Sequence, residues 1–128
     1  MAQTFDELSN LLALAHRRQL EAIVPHVGPG QKYDALMIAN ALAIASRLLK
    51  DGAAAQHSEA ARYRTALNKD GTLLELKALM AQSIRAGAFD DDEAIFALLQ
   101  TNARAALGLT NPKALDEADA TRNKTQNG

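Results

Sequence analysis

Five side chains stand out because they interrupt or begin stretches that are otherwise apolar and helical in pattern. Asn40 and Arg47 are seven residues apart, Gln19 and Asn102 fall inside apolar stripes, and Tyr33 begins an apolar run. A guanidinium and an amide on one helix face can hold a carboxylate or a phosphate. The set therefore predicts a site for an acyl or anionic ligand. The alternative is structural, because buried amides usually bond to backbone carbonyls, helix ends or one another.

No group of residues predicts catalysis or a metal site. The three histidines (His16, His26 and His57) lack the i, i+4 spacing of a helical metal site, and there is no HExxH motif. Four acidic residues at 90–93 lie where a helix is predicted to begin, and the helix dipole favours carboxylates there. Since the chain has no cysteine, thiolate catalysis and cysteine zinc ligands are excluded. We therefore expect a non-enzymatic protein with no metal and no cofactor.

The run Tyr33–Leu49 determines the predicted architecture. Drawn as a helix, it carries large apolar side chains on two sides and small ones on the rest. A helix that is apolar all round is typical of a central helix covered by its neighbours. This pattern predicts that Asn40 is buried and hydrogen-bonded to another element. Arg47 is predicted either to complement the end of this helix or to point with Asn40 into a cleft.

Four further helical segments are predicted from apolar spacing and capping signals. They are residues 4–24 with a capping box at Thr4, 53–67, 72–87 with a capping box at Thr72, and 90–108. Gly52 is predicted to end the central helix as a left-handed cap. After Asn111-Pro112 the chain becomes polar, so residues 116–128 are predicted to be disordered. The expected organisation is one helical domain over residues 1–115.

Composition narrows the classes of function. The hydrophobic content is 48% and the net charge is −1, which is unlike a disordered chain. A nucleic-acid binder would carry a basic stripe, and none is present. No apolar run reaches the ~20 residues of a membrane span, and no signal peptide is visible, so a cytoplasmic protein is expected.

The order of these pieces resembles a small bacterial all-helical family of unknown function. The similar segments are Pro25, Gly28 and Tyr33, then Ala39-Asn40-Ala41-Leu42 and Arg47, then Ile84-Arg85-Ala86-Gly87, and Leu107 to Asn111-Pro112-Lys113. Genes of this family typically lie near phosphotransferase-like kinases and acyl-CoA dehydrogenases. The resemblance therefore implies an association with one of these enzymes and no mechanism of its own.

We thus predict an all-α, compact bundle of about five helices around a central apolar helix at residues 33–49. The leading hypothesis is an accessory or interaction module for a kinase-like or acyl-CoA-metabolising partner. The second hypothesis is a domain that binds an acyl or anionic ligand, with Asn40 and Arg47 as polar contacts. Neither nucleic acid nor membrane is an expected partner, and assembly into a homo-oligomer is left open.

Overall fold

The computed structural model describes the backbone of residues 2–127 and the side chains of residues 4–127. It contains five α-helices: α1 (Ala2–Arg18), α2 (Pro29–Leu67), α3 (Leu73–Arg85), α4 (Glu93–Thr110) and α5 (Pro112–Asn127). No strand occurs within this range. The prediction of an all-α fold with about five helices is confirmed. None of the described helices is both long enough and apolar enough to cross a membrane.

The chain divides into two compact units, Met1–Ala53 (unit 1) and Ala54–Gly128 (unit 2). Unit 1 contains α1 and the first part of α2. Unit 2 contains the rest of α2 followed by α3, α4 and α5. The prediction of a single domain over residues 1–115 stays a prediction.

In unit 1, α1 passes into a π-helical turn at Gln19–Ile23 and a 3-10 turn at Val24–His26 before α2 begins. Proline has no amide hydrogen and its ring crowds the preceding turn, so Pro25 accounts for the loss of regular α-helical bonding before it. The connection between α1 and α2 is short, since Pro29 already occupies the first position of α2. Its fixed φ angle suits that position.

The expectation that neighbours cover residues 33–49 on every side is wrong. The buried residues in this part of α2 are alanines, Ala35 and Ala39, whereas Tyr33, Met37 and Ile38 are exposed. The periodicity identified an apolar helix correctly. However, within unit 1 the described contacts with it come from α1 and the turn that follows α1, which lie on one side of it.

Unit 2 holds the larger core. Leu76 and Met80 from α3 pack with Tyr63 from α2 and Ile95 from α4, and Leu76 is completely buried. The predicted capping box of α3 is confirmed: the Thr72 hydroxyl accepts from the Glu75 amide, and the Glu75 carboxylate accepts from the Thr72 amide. Gly87 lies in the turn that follows α3 and has a positive φ angle of 79°, a conformation in which other residues are strained.

Several predicted helix ends differ from those in the structure. α1 begins before Thr4, and α4 begins at Glu93, with Asp92 rather than Asp90 as its cap. Gly52 does not end a helix, because α2 continues through it to Leu67. The alanine-rich sequence after Gly52 has a high helix propensity, which outweighs the ~1 kcal/mol cost of one helical glycine.

Residues 112–127, largely predicted to be a disordered tail, form α5. The Asn111 side chain accepts from the Ala114 amide and so caps this helix. Arg104 of α4 donates two hydrogen bonds to Asp119 of α5, at 2.7 and 3.0 Å. Asn111-Pro112 therefore starts a helix as well as ending one, which agrees with the preference of proline for the first helical turn. The predicted end of the tail at Gly128 lies outside the described residues.

We expect Gly52→Ala to raise the free energy of unfolding by about 0.5–1 kcal/mol, because Gly52 is helical and alanine loses less entropy on folding. An added Cβ would meet Leu48 at 3.8 Å, an ordinary contact. Urea unfolding followed by circular dichroism measures this. The control is Gly87→Ala, which should destabilise because of its positive φ angle and a 3.0 Å approach to Asp90. A destabilising Gly52→Ala would mean that α2 ends at Gly52.

The Arg104 hydrogen bonds lower the pKa of Asp119 below its ordinary value. A carboxylate whose pKa is lowered by folding contributes stability above its unfolded pKa and loses it as pH falls through the folded pKa. The attachment of α5 should therefore weaken below about pH 4. A carbon-detected NMR titration should find the Asp119 pKa lowered, and Arg104→Met should restore it. Arg122→Met, which removes only a weaker charge interaction, should change it less. An unchanged pKa in Arg104→Met would contradict this pairing.

Candidate functional site

The contact between α1 and α2 is made by serine hydroxyls. Ser9 donates to the Ser46 carbonyl at 2.8 Å, and Ser46 donates to the Ser9 carbonyl at 2.8 Å. The two hydroxyl oxygens are 3.2 Å apart. Ser9 is almost completely buried. This reciprocal pair requires the two helix backbones to lie close together, which only small residues permit.

Two longer polar side chains continue the same contact. The Nδ1 atom of His16 is 2.7 Å from the Ala39 carbonyl oxygen, so His16 carries its proton there and donates it. The Gln19 Nε2 atom donates to the Ala35 carbonyl at 3.0 Å. A helical carbonyl has a second lone pair that can accept such a bond. Gln19 therefore has the kind of backbone partner that the structural alternative predicts.

Asn40 does not have the predicted environment. Its side chain is exposed, so the prediction that Asn40 is buried and bonded to another element is wrong. The physical reason is rotation: α2 turns Ala35 and Ala39 towards α1, and Asn40 is about 100° further round the helix. Arg47 is half-buried, and Tyr33 is exposed. A ligand site at Asn40, Arg47 and Tyr33 stays a prediction.

Asn102 is the one predicted residue that belongs to unit 2, and it is buried. Its Oδ1 atom accepts a short hydrogen bond of 2.6 Å from the Nε atom of Arg62. The Nδ2 atom of Asn102 is buried and has no hydrogen-bond partner. An unpaired buried amide group costs roughly 1–3 kcal/mol. Arg62 was not predicted as a site residue, because it lies in an alanine-rich helix where an arginine normally faces solvent.

Arg62 also lines a groove of about 630 Å³ within unit 2. The rest of the wall is mainly apolar and includes Ala66, Phe89, Ile95 and Leu98. This volume lies in the range of small-molecule sites.

The other polar side chains of this groove each make a hydrogen bond within the chain. The hydroxyls of Thr65 and Thr101 each donate to a carbonyl four residues earlier, and the Asp92 carboxylate accepts from the Ile95 amide. The groove can accommodate an apolar group beside one guanidinium. The residues that line it do not include a nucleophile paired with a base. Within the part of the chain that the structure describes, no three His, Asp or Glu side chains come together to hold a metal ion.

A family model described as "Domain of unknown function (DUF6285)" matches residues 25–114 of the chain. This range covers the end of the α1 to α2 connection, all of α2, α3 and α4, and the start of α5. No curated protein matches the chain. No solved structure matches it either.

We expect Arg62→Met to lower the free energy of unfolding by about 1–3 kcal/mol, because the buried Asn102 amide would lose its only described partner. The double variant Arg62→Met/Asn102→Leu should regain much of this loss, since no unpaired polar group is left. Urea unfolding of both single variants and the double variant gives the coupling energy directly. Additive effects of the two substitutions would show that the 2.6 Å contact has no energetic significance.

Proposed function

We propose that this chain, which belongs to the family described as Domain of unknown function (DUF6285), is a non-enzymatic interaction module. Its apolar surface on α1 packs against a partner protein. We place this interaction in the cytoplasm of a bacterium. The proposal depends on one observation: within unit 1 small and polar residues make the hydrogen bonds that join α1 to α2, while eleven large apolar side chains remain at least 40% exposed.

The amount of exposed apolar surface supports this proposal. Eleven large apolar side chains of residues 4–53 are between 40% and 71% exposed: Phe5, Leu8, Leu11, Leu14, Leu20, Ile23, Tyr33, Leu36, Met37, Ile38 and Leu48. If a partner covered the exposed part of these side chains, the hydrophobic stabilisation gained would be roughly 10 kcal/mol. This is comparable to the total stability of a small domain, and large exposed apolar surfaces mark interaction sites.

On α1, the residues Phe5, Leu8 and Leu11 follow one another at three-residue steps and are all exposed. We call these three residues the α1 stripe. Such spacing keeps the side chains near one face of a helix. A partner helix or groove that covered this face would bury three large side chains on a rigid element. Helix-in-groove recognition uses anchors of this kind.

The family resemblance supplies the candidate partners: a phosphotransferase-like kinase or an acyl-CoA dehydrogenase. Both are enzymes with their own catalytic residues, so an accessory subunit would need none. The polar side chains described above support this role. Ser9, His16 and Gln19 hydrogen-bond to α2 and so hold the two helices together.

A second candidate function is the binding of a small amphipathic anion, and it is favoured by the groove beside Arg62. The described hydrogen bond of Arg62 uses Nε, so the two terminal nitrogens of its guanidinium can bind a carboxylate or phosphate. The apolar wall would cover an acyl chain. This would move the anionic contact from the predicted Asn40 and Arg47 to Arg62.

Binding to purified candidate enzymes distinguishes the two functions. We expect a kinase or dehydrogenase encoded beside the gene to co-sediment with the wild type in analytical ultracentrifugation. Leu11→Glu should weaken this binding at least tenfold, because a charge would be buried on the α1 stripe. The matched control is Leu74→Glu, since Leu74 is 79% exposed on α3; it should bind as the wild type does.

The opposite result would support the second candidate. If no enzyme binds while an acyl-CoA compound raises the melting temperature of the wild type but not of Arg62→Met, the interaction module is contradicted. Equal binding by Leu11→Glu and the wild type would also contradict it, because the partner would not contact the α1 stripe.

A further inference from the structure

A second apolar stripe lies on α2, and it has an internal symmetry. It consists of Tyr33, Met37, Asn40, Ile44 and Leu48, at steps of four, three, four and four residues. We call it the α2 stripe. Tyr33 is 71% exposed, Met37 and Leu48 are about half exposed, and Ile44 is half-buried. Steps of three and four residues place all five on one helix face, which is the spacing of helix–helix seams.

The large side chains are placed symmetrically about the point between Asn40 and Ala41. Tyr33 and Leu48 are equally far from this point, and so are Met37 and Ile44. If a second α2 runs antiparallel to the first across a two-fold axis at this point, Tyr33 faces Leu48 of the other copy and Met37 faces its Ile44. Two-fold symmetry requires each contact to occur twice. Every large apolar residue of the stripe then has an apolar partner.

Asn40 fits at the centre of such a pair. A side-chain amide has both an acceptor and two donors, so two asparagines can hydrogen-bond to each other across a two-fold axis. The small residue Ala41 beside it lets the two helices approach closely. An apolar surface of an unrelated partner would instead bury the amide without a bond, at a cost of roughly 1–3 kcal/mol. One asparagine within an apolar seam is known to select a single register.

The charge of unit 1 is also compatible with self-association. Residues 1–53 have a net charge of zero when the histidines are neutral. The five acidic residues are Asp6, Glu7, Glu21, Asp34 and Asp51, and the five basic residues are Arg17, Arg18, Lys32, Arg47 and Lys50. None of the five stripe residues is charged. Two copies therefore meet without net repulsion, and antiparallel helices also align their dipoles favourably.

We propose that the chain forms a two-fold dimer in which the α2 stripes of two copies pack antiparallel, with the two Asn40 amides bonded at the axis. The stripe spans about 24 Å of helix and buries on the order of several hundred Å² per chain, a size typical of weak and reversible complexes. The dimer should therefore form in the micromolar range. It uses a different helix from the α1 stripe, so the two proposals can fail separately.

Analytical ultracentrifugation of the full chain tests the dimer. We expect a concentration-dependent shift from 13.7 kDa towards twice this mass. Met37→Glu should remain monomeric over the same range, because the pairing would bury two charges. Leu74→Glu, which changes an exposed leucine outside the stripe, should dimerise like the wild type. Circular dichroism confirms that each variant is folded. A wild type that is monomeric up to 500 μM, on the order of a hundred times the expected dissociation constant, would overturn the proposal.

Disulfide trapping tests the register, and the chain suits it because it contains no cysteine. Asn40→Cys should form a disulfide between the two chains on mild oxidation, since position 40 of each chain lies at the two-fold axis. Tyr33→Cys should not, because the two sites would be about 22 Å apart along the helices. A mixture of Tyr33→Cys and Leu48→Cys should form the mixed dimer. Efficient self-cross-linking of Tyr33→Cys would indicate parallel helices and overturn the antiparallel pairing.

Discussion

The close approach of α1 to α2 is the constraint on which unit 1 depends. Two side chains of α1, Ser9 and His16, and Gln19 from the turn that follows α1 reach backbone carbonyls of α2 at 2.7–3.0 Å. Bonds to a carbonyl inside a helix require the two backbones to be near each other. The facing positions of α2 are accordingly small, namely Ala35, Ala39 and Ser46. A leucine in any of them would hold the helices apart and break the bonds, since overpacked contacts cost about 1–3 kcal/mol.

This arrangement reverses the usual amphipathic pattern. In most helical pairs the large apolar residues fill the contact and the polar residues face water. Here small and polar residues make the hydrogen bonds of the contact, and many of the large apolar residues of α1 and α2 stay exposed. Hydrogen bonds to carbonyls contribute only about 1 kcal/mol each. The hydrophobic effect is therefore used less within unit 1 than within unit 2, where Leu76 and Met80 are buried.

The sequence predicted the fold class and several local features because those depend on short-range signals. The Thr72 capping box and the end of the helix before Gly87 both follow from residues within a few positions of each other. The number of helices was also right, but for partly different helices, since two predicted segments join at Gly52 and the polar tail forms α5. Helix propensity explains both differences. The alanines after Gly52 continue α2 past the glycine, and Pro112 begins α5, because proline can begin a helix as well as end one.

The candidate site was harder to predict because an apolar stripe does not reveal which molecule covers it. Asn102 and Asn40 give the same signal in the sequence, a polar residue among apolar ones. Asn102 is buried against Arg62 of its own chain, whereas Asn40 is exposed. Arg62 gave no signal, because its partner is forty residues away and no local pattern connects them.

Burying an amide requires a partner for its donors and acceptor. For Asn102 the fold of its own chain supplies one of these partners. For Asn40 the same requirement can be met only by water or by a second molecule. In the dimer proposed above, the Asn40 of the second copy meets this requirement, and the amide then fixes the register of the seam at some cost in stability.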